Sequence, residues 1–281
     1  MKKFYDTNSD EMIYKGYKII SGTSDDINAA MELIYQSNYE GWNINEYLLI
    51  QNIEDNSEKE MRFDGTQFVN LRLPPSKTVK GKNALQRCAL DILNNQDITV
   101  AAIIGGYGSG KSYLCTKMAL YNVLDKGNQS SILLVREPVG EGKELGYLPG
   151  DFKNKNAYFE YPIEQQLDGG GFQLESLKQR GVIESIIPYF MKGLTLTSYI
   201  VICDEAEDLS DKQIRLIGTR VGENSRIFFS GDYKQSVINA TENNALVKMC
   251  NIFKGNKKFG CIYLEEDVRS ATSKMFANLF K

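Results

Sequence analysis

Histidine is absent from this chain of 281 residues. A Ser-His-Asp or Cys-His triad is therefore excluded, and so are the zinc motifs that use histidine ligands and the catalytic-loop histidine of protein kinases. Any acid–base chemistry must come from carboxylate, lysine, tyrosine or cysteine side chains.

Paired cysteines are also lacking, since the five cysteines are scattered and form no Cys-x-x-Cys motif. They are Cys88, Cys115, Cys203, Cys250 and Cys261. This pattern is typical of small buried residues in a reducing compartment, and it argues against a disulfide framework or a zinc site.

Long apolar runs and an excess of positive charge are the remaining absences. No stretch has the length that a membrane span needs, and Met1–Asp6 lacks the apolar core of a signal peptide. We therefore expect a cytoplasmic protein without a membrane partner. The net charge of −3 gives no support to nucleic-acid binding, although a local basic stripe on an acidic protein would suffice for it.

The order of apolar runs predicts two parts of the chain. Residues 1–73 are predicted to form a small α+β module, and Pro74-Pro75-Ser76 marks the boundary with a larger domain over residues 74–281. The predicted elements of the module are a strand at Tyr17–Ile20, a helix at Asp25–Tyr35 capped by Ser24, a strand at Tyr47–Ile50, and a hairpin loop at Glu54–Glu58 that precedes Met61–Phe63.

The larger part alternates short apolar runs with helical segments. This order predicts an α/β fold whose mostly parallel sheet is covered by helices on both faces. The predicted strands are Ile98–Ile104, Ile132–Val135, Tyr199–Cys203, Ile227–Phe229 and Cys261–Leu264. A helix is expected from Lys111 to about Leu124.

A phosphate-binding loop is predicted between the first of these strands and that helix. The pattern G-x-x-x-x-G-K-[ST] is matched by Gly105, Gly106, Tyr107, Gly108, Ser109, Gly110, Lys111 and Ser112. We expect the loop, with Tyr113 beside it, to bind ATP, while Lys111 reaches the β- and γ-phosphates and Ser112 binds Mg²⁺. The alternative is a chance glycine-rich turn, which would match by accident on the order of one time in a hundred.

Two carboxylates follow the apolar strand Tyr199–Cys203. We expect Asp204 to hold Mg²⁺ and Glu205 to polarise the attacking water, because a chain without histidine offers no other base nearby. The alternative is a strand that ends in solvated charges. The phosphate loop, which we expect on a neighbouring strand, favours the catalytic interpretation.

Six further segments occur in order after residue 80. They are Gln86, Gly142–Asp151, Met191–Thr195, Asp204-Glu205-Ala206, Thr219–Glu223 and Gly231–Gln235. With the phosphate loop, this ordered set resembles the PhoH-like family of P-loop ATPases, which is related to the first RecA-like domain of superfamily 1 helicases. The resemblance covers nearly all of residues 80–281. It implies a RecA-like fold, ATP and Mg²⁺ at the site, and RNA or single-stranded DNA as a partner.

The resemblance also implies roles for four side chains. Gln86 would pair its amide with the adenine edge, the alternative being a surface glutamine on a helix. Gln235, at a strand end, resembles the residue that senses the γ-phosphate. Arg136 resembles a nucleic-acid contact, and a strand-end salt bridge is the alternative. Arg220 is either a phosphate contact or a charge at a helix end.

The segment Leu264–Ser270 resembles the helicase motif whose arginine reaches the γ-phosphate from a second RecA-like domain. The chain ends eleven residues after Ser270, so we expect no second domain. Arg269 is then expected to act in trans on ATP bound by a neighbouring subunit. This arrangement implies a homo-oligomeric ring, with a hexamer favoured.

Three departures from the family pattern concern the coupling of ATP to nucleic acid. Glu207-Asp208 stands where the family has Gln-Asn after Asp-Glu-Ala. Leu194 replaces the second arginine of an Arg-Gly-Arg motif, and Glu137 replaces a proline after Arg136. None of the three departures falls on a residue that we expect to bind ATP.

The sequence therefore predicts an ATPase that uses Mg²⁺ and acts on RNA or single-stranded DNA as a helicase-like homo-oligomer. A nucleotide-dependent regulatory or scaffold protein that binds ATP and a protein partner is the main alternative. Two others are a partial helicase that needs a separate second domain and a kinase. The pair Asp204-Glu205 and the residue Gln235 favour water over a kinase substrate as the phosphoryl acceptor.

Overall fold

The computed structural model describes residues 12–137, 160–268 and 275. Two sheets organise these residues, one of four strands near the N-terminus and one of six strands in the larger part. Arg269 and the segment Gly142–Asp151 lie outside the described residues, so their predicted roles stay predictions.

The small sheet has the strand order β1-β2-β3-β4. Its strands are β1 (Tyr17–Gly22), β2 (Tyr47–Asn52), β3 (Glu58–Phe63) and β4 (Phe68–Asn70). Strands β1 and β2 pair in parallel, and the other pairs are antiparallel. Because a parallel pair needs a long crossover, helix α1 (Ser24–Gln36) connects β1 to β2.

The start of α1 corrects a prediction, because the N-cap is Thr23 and not Ser24. The Thr23 hydroxyl accepts a hydrogen bond from the Asp26 backbone N–H, and the Asp26 carboxylate accepts one from the Thr23 N–H. This reciprocal capping box places the helix start one residue earlier than expected. Ser24 instead donates through its backbone N–H and its hydroxyl to Glu54 in the hairpin loop.

The large sheet is entirely parallel, with the strand order β10-β5-β9-β8-β6-β7. Its strands are β5 (Val100–Gly105), β6 (Ser131–Val135), β7 (Ile183–Ile186), β8 (Tyr199–Cys203), β9 (Arg226–Gly231) and β10 (Phe259–Leu264). The predicted α/β class, with a parallel sheet in the larger part and a small N-terminal α+β module, is confirmed. Strands β4 and β7 were not predicted, because each is short and carries polar residues.

The helices of the larger part are short. Those whose two ends both lie within the described residues are α2 (Ala84–Asn94), α3 (Lys111–Leu120), α4 (Gly170–Gln179), α5 (Asp211–Gly218) and α6 (Ala245–Phe253). The helix predicted to reach about Leu124 leaves the α-helical pattern at Leu120 and continues as a π-helical turn, Tyr121–Asp125. No helix in the described ranges is long and apolar enough to cross a lipid bilayer.

The strand order corrects a second prediction. Strand β8, which Asp204 follows, does not neighbour the phosphate-loop strand β5, because β9 lies between them. Two strand spacings, about 10 Å, therefore separate β5 from β8. Parallel strands end at one edge of a sheet, so the carboxyl ends of β5, β9 and β8 still meet at the same place.

Helix α2 connects the small sheet to the large one through buried polar contacts. The Asp91 carboxylate accepts hydrogen bonds from the Tyr47 hydroxyl at 2.6 Å and from the Arg62 Nε at 3.0 Å. At the end of the same helix, the buried Arg226 guanidinium donates to the carbonyls of Ile92 and Leu93. These contacts satisfy carbonyls that a helix C-terminus leaves unpaired, and they hold α2 in position against both sheets.

Candidate nucleotide-binding site

The predicted phosphate loop connects β5 to α3, as expected. Three of its glycines have a positive φ, 148° at Gly105, 74° at Gly108 and 91° at Gly110, which other residues adopt only with strain. Gly110 is also the N-cap of α3 and offers no side chain to the first turn. The N–H groups at this helix start are therefore available to an anion.

The loop is held from the side by the end of β10 and the segment after it. A Cβ atom at Gly105 would collide with the carbonyl oxygen of Leu264. The Val268 backbone N–H donates to the carbonyl of Gly108 at 3.0 Å. The main chain of the loop therefore has a defined course, with glycine required at its entry.

Lys111 lies over the loop that it follows. Its ammonium nitrogen donates to the carbonyl of Gly106 at 2.9 Å, and the Ser109 hydroxyl donates to the same carbonyl at 2.9 Å. A lysine placed at the head of a ring of backbone N–H groups fits a polyphosphate, because it adds a full positive charge to the partial charges of the loop.

The two predicted metal ligands meet although 92 residues separate them. The Ser112 hydroxyl donates to Oδ1 of Asp204 at 2.7 Å. Ser230, on the intervening strand β9, donates to the same oxygen at 2.8 Å and lies 3.2 Å from the Ser112 hydroxyl. A hydroxyl and a carboxylate at one point are oxygen ligands that suit Mg²⁺. Ser230 was not predicted as part of the site, because nothing in its local sequence pattern distinguishes it.

Glu205 has an unusual backbone, with φ 49° and ψ 45°. This left-handed conformation turns the chain sharply at the end of β8 and is uncommon for a residue other than glycine. The Glu205 carboxylate forms a salt bridge with Arg136 at 3.3 Å, and the same guanidinium lies 3.8 Å from Asp204. The predicted salt bridge of Arg136 at its strand end is therefore present, and its contact with nucleic acid stays a prediction.

Glu207 is a second residue that the sequence analysis did not assign to the site. Its side chain is buried, and its Oε2 atom has no hydrogen-bond partner among the described residues. A Cβ atom at Gly231 would collide with this oxygen, so the carboxyl group lies close against the end of β9. Burial raises the pKa of Glu207 to about 9, and repulsion from Glu205 acts in the same direction. The sequence did carry a signal for this residue, since Glu207 stands where the family has a glutamine.

Gln86 lies under the phosphate loop. Its side-chain nitrogen donates to the Ser109 carbonyl at 2.9 Å, and its side-chain oxygen accepts from the Lys82 backbone N–H at 2.8 Å. The residue is only 4% exposed, so the alternative of a surface glutamine is wrong. Pairing with adenine stays a prediction, and it would require an exchange of these hydrogen bonds.

The remaining predicted residues surround the loop or the carboxyl edge of the sheet. Gln235 follows β9 in a short turn, and its amide donates to the Asp232 carboxylate. Tyr107 and Tyr113 expose their rings beside the phosphate loop. Arg220 donates to the carbonyl of Leu194 at 3.4 Å, two residues past the end of α5. This position agrees with a charge at a helix end, and a phosphate contact stays a prediction.

Solved structures with a similar chain path include two helicases. One is the nonstructural protein 10 helicase of an arterivirus, at 16% identity and a TM-score of 0.31. The other is the Hef helicase domain of Pyrococcus furiosus, at 15% identity and a TM-score of 0.35. Each alignment covers 63% of this chain and 37% of the other chain.

Sequence comparison gives a more direct relationship. Protein PhoH2 of Bacillus subtilis is 29% identical over 213 residues, which are 72% of this chain and 47% of that protein. A PhoH-like protein of the same organism is 31% identical over 192 residues, or 68% of this chain and 59% of that protein. The chain thus spans about half the length of these relatives. Residues 78–281 match the family described as PhoH-like protein, and this chain therefore belongs to the PhoH-like family.

Proposed function

We propose that this chain is a Mg²⁺-dependent ATPase whose hydrolysis is coupled to RNA or single-stranded DNA. The observation that carries the ATPase assignment is the contact between the Ser112 hydroxyl and Asp204, with Glu205 next in the chain. A phosphate loop, a metal-binding hydroxyl and an adjacent carboxylate pair are the parts from which P-loop NTPases build a hydrolytic site.

Each part has a separate task in the proposed reaction. The N–H groups of Gly105–Ser112 and the Lys111 ammonium bind the β- and γ-phosphates. Ser112 and Asp204 would hold Mg²⁺, which neutralises phosphate charge when bound. Glu205 orients and polarises the attacking water, and it accepts the proton as the bond to the γ-phosphorus forms. ADP leaves with the β-phosphate oxygen.

The nucleic-acid partner rests on family membership and on charge at the carboxyl edge of the sheet. Arg136 lies at this edge and contacts Glu205, so a phosphate that binds Arg136 would change the surroundings of the proposed base. Gln235 lies at the same edge, in the turn after β9, and is proposed to sense whether the γ-phosphate is present. A regulatory ATP-binding protein without nucleic-acid coupling is the competing function.

The proposed enzyme acts as a homo-oligomeric ring, favoured as a hexamer, in which Arg269 completes the site of a neighbouring subunit. An arginine supplied in trans contributes roughly 10³–10⁵ to the rate of phosphoryl transfer in related enzymes. We therefore expect the turnover per subunit of the wild type to rise with protein concentration, and we expect Arg269→Ala to abolish this turnover. A turnover unchanged by this substitution at all concentrations would contradict the role in trans.

The decisive experiment measures steady-state ATP hydrolysis with Mg²⁺, alone and with single-stranded RNA or DNA. Glu205→Gln should lower turnover by about 10²–10⁴ while ATP binding persists, because the amide cannot accept the proton. Stimulation by one polymer would support the coupled ATPase and identify its partner. Hydrolysis indifferent to both polymers would favour the regulatory function, and no hydrolysis would contradict the ATPase assignment.

A further inference from the structure

Two aromatic side chains stand exposed on the short turn Pro188–Met191 that follows β7. Tyr189 is 66% exposed and Phe190 is 47% exposed, while Pro188 and Met191 on either side of them are buried. The two rings meet edge to face, with their centroids 5.3 Å apart. The buried flanks therefore fix a turn that presents a pair of large apolar rings to solvent.

A positive charge lies beside this pair of rings. The Lys192 ammonium lies 4.9 Å from the centroid of the Tyr189 ring. The turn packs against α5, on which Lys212 and Arg215 are exposed. Aromatic rings interleaved with cations are the composition of surfaces that bind single-stranded nucleic acid, since the rings stack on bases and the cations bind phosphates.

The location of the turn relates it to the nucleotide site. Strand β7 is next to β6, and β6 is next to β8, so the turn and the Glu205 end of β8 share the carboxyl edge of the sheet. Two strand spacings, about 10 Å, separate the two strand ends. Arg136, which follows β6, lies between them along the edge. A single strand on the aromatic turn would therefore extend toward the residue that contacts the proposed base.

We propose that Tyr189 and Phe190, with Lys192, form a stacking platform for the bases of single-stranded RNA or DNA. This inference rests on the nucleic-acid coupling proposed above. A protein partner is the less favoured occupant, because a stable protein interface buries about 800 Å² on each side. Two aromatic rings offer at most roughly 500 Å², and the charged group beside Tyr189 is the cation Lys192.

The test is equilibrium binding of fluorescent 20-nucleotide single strands, RNA and DNA, to the full chain, followed by anisotropy. Tyr189→Ala and Phe190→Ala should each weaken binding about tenfold, within the range measured for the loss of one base–aromatic stack. Tyr189→Trp should keep the affinity, since an indole also stacks. Lys192→Gln should reduce the salt dependence of binding by about one charge.

Two controls distinguish base stacking on this turn from other effects on binding. Tyr35→Ala removes a tyrosine that is 53% exposed and also lies edge to face with a neighbour, Tyr39, but on α1 of the small module. It should leave binding unchanged. An oligonucleotide of the same length without bases should bind wild type and Tyr189→Ala equally, because only phosphate contacts remain.

The outcomes separate this inference from the proposed function. If wild type binds the single strands and both alanine variants bind equally well, the platform is wrong and the coupled ATPase stands. If the alanine variants change the sedimentation of the protein and not its binding, the surface is a subunit contact and the inference is again wrong. If wild type binds neither RNA nor DNA, the nucleic-acid coupling and the platform both fail.

Discussion

The Ser112 hydroxyl, in the first turn of α3, lies 2.7 Å from Oδ1 of Asp204, which follows β8. Strand β9 lies between β8 and β5, the strand that leads into the phosphate loop. The intervening strand β9 also contributes to this contact, because its Ser230 donates to the same oxygen at 2.8 Å. Two hydroxyls thus orient one carboxylate at the carboxyl edge of the sheet. The proposed metal site depends on the ends of three strands, all of which the sequence pattern predicted, but Ser230 was not assigned to the site.

Ser230→Ala is expected to weaken the response to Mg²⁺. The substitution removes one of the two hydroxyls that orient Asp204, and losing such a supporting group typically costs 10–100-fold in metal affinity. The measurement is the Mg²⁺ concentration that gives half-maximal ATP hydrolysis. Ser225→Ala is the matched control, since this buried serine precedes β9 and donates to the Leu196 carbonyl, away from the site. An equal response in both variants would contradict the role of Ser230.

Gln86→Ala is expected to weaken ATP and GTP binding to the same extent, by about tenfold. The Gln86 amide contacts the loop through the Ser109 carbonyl, and the loss of such buried hydrogen bonds costs on the order of 1–2 kcal/mol. Gln96→Ala is the control, because that glutamine bonds to Asn122. If Gln86→Ala weakened only ATP, Gln86 would read the adenine base.

Arg136→Gln is expected to raise basal ATP hydrolysis about two- to fivefold and to reduce stimulation by nucleic acid. The Arg136–Glu205 pair is partly exposed, and exposed pairs contribute up to about 1 kcal/mol, which corresponds to a factor of about five. Without the guanidinium, the Glu205 carboxylate is free to engage water before nucleic acid binds. Arg180→Gln, an exposed substitution at the end of α4, serves as a control for lost charge. A fall in basal turnover would show that Arg136 assists hydrolysis directly.

Glu207→Gln is expected to stabilise the protein, and more at high pH than at low pH. The pKa of Glu207 is about 9 in the fold and near 4.5 without its surroundings. Between these values the unfolded chain releases a proton that the folded protein keeps, so the stability of the wild type falls as pH rises through this window. A glutamine at this position has no proton to release, so the variant does not lose stability in this way as pH rises.

Thermal unfolding at pH 5 and pH 8 measures this difference. We expect the variant to unfold on the order of 5 °C above the wild type at pH 8, with a smaller gap at pH 5. Glu32→Gln, an exposed substitution on α1, should show the same small effect at both values. A gap independent of pH would mean that Glu207 is ionised in the fold.

Several features of the fold could be predicted because they depend on neighbours in the sequence. Five strands of the large sheet were found from their apolar runs, and the phosphate loop from its glycine spacing. Errors arose where a local pattern allowed two outcomes. Thr23 and Ser24 are both capping residues, and the geometry of Asp26 decides between them. Strand β7 has only four residues, two of them polar, and pairs because β6 offers an edge.

The α/β class, the phosphate loop, the carboxylate pair and membership of the PhoH-like family could all be predicted from the amino-acid sequence alone. Each of these follows from residue types at a fixed spacing along the chain. Three further contacts became visible only in the folded chain: Ser230 completes the contact of Ser112 with Asp204, Gln86 supports the loop, and Glu207 is buried beside Glu205. These contacts depend on which strands are neighbours at the carboxyl edge, and strand order is a property of the whole packed sheet that no local pattern contains.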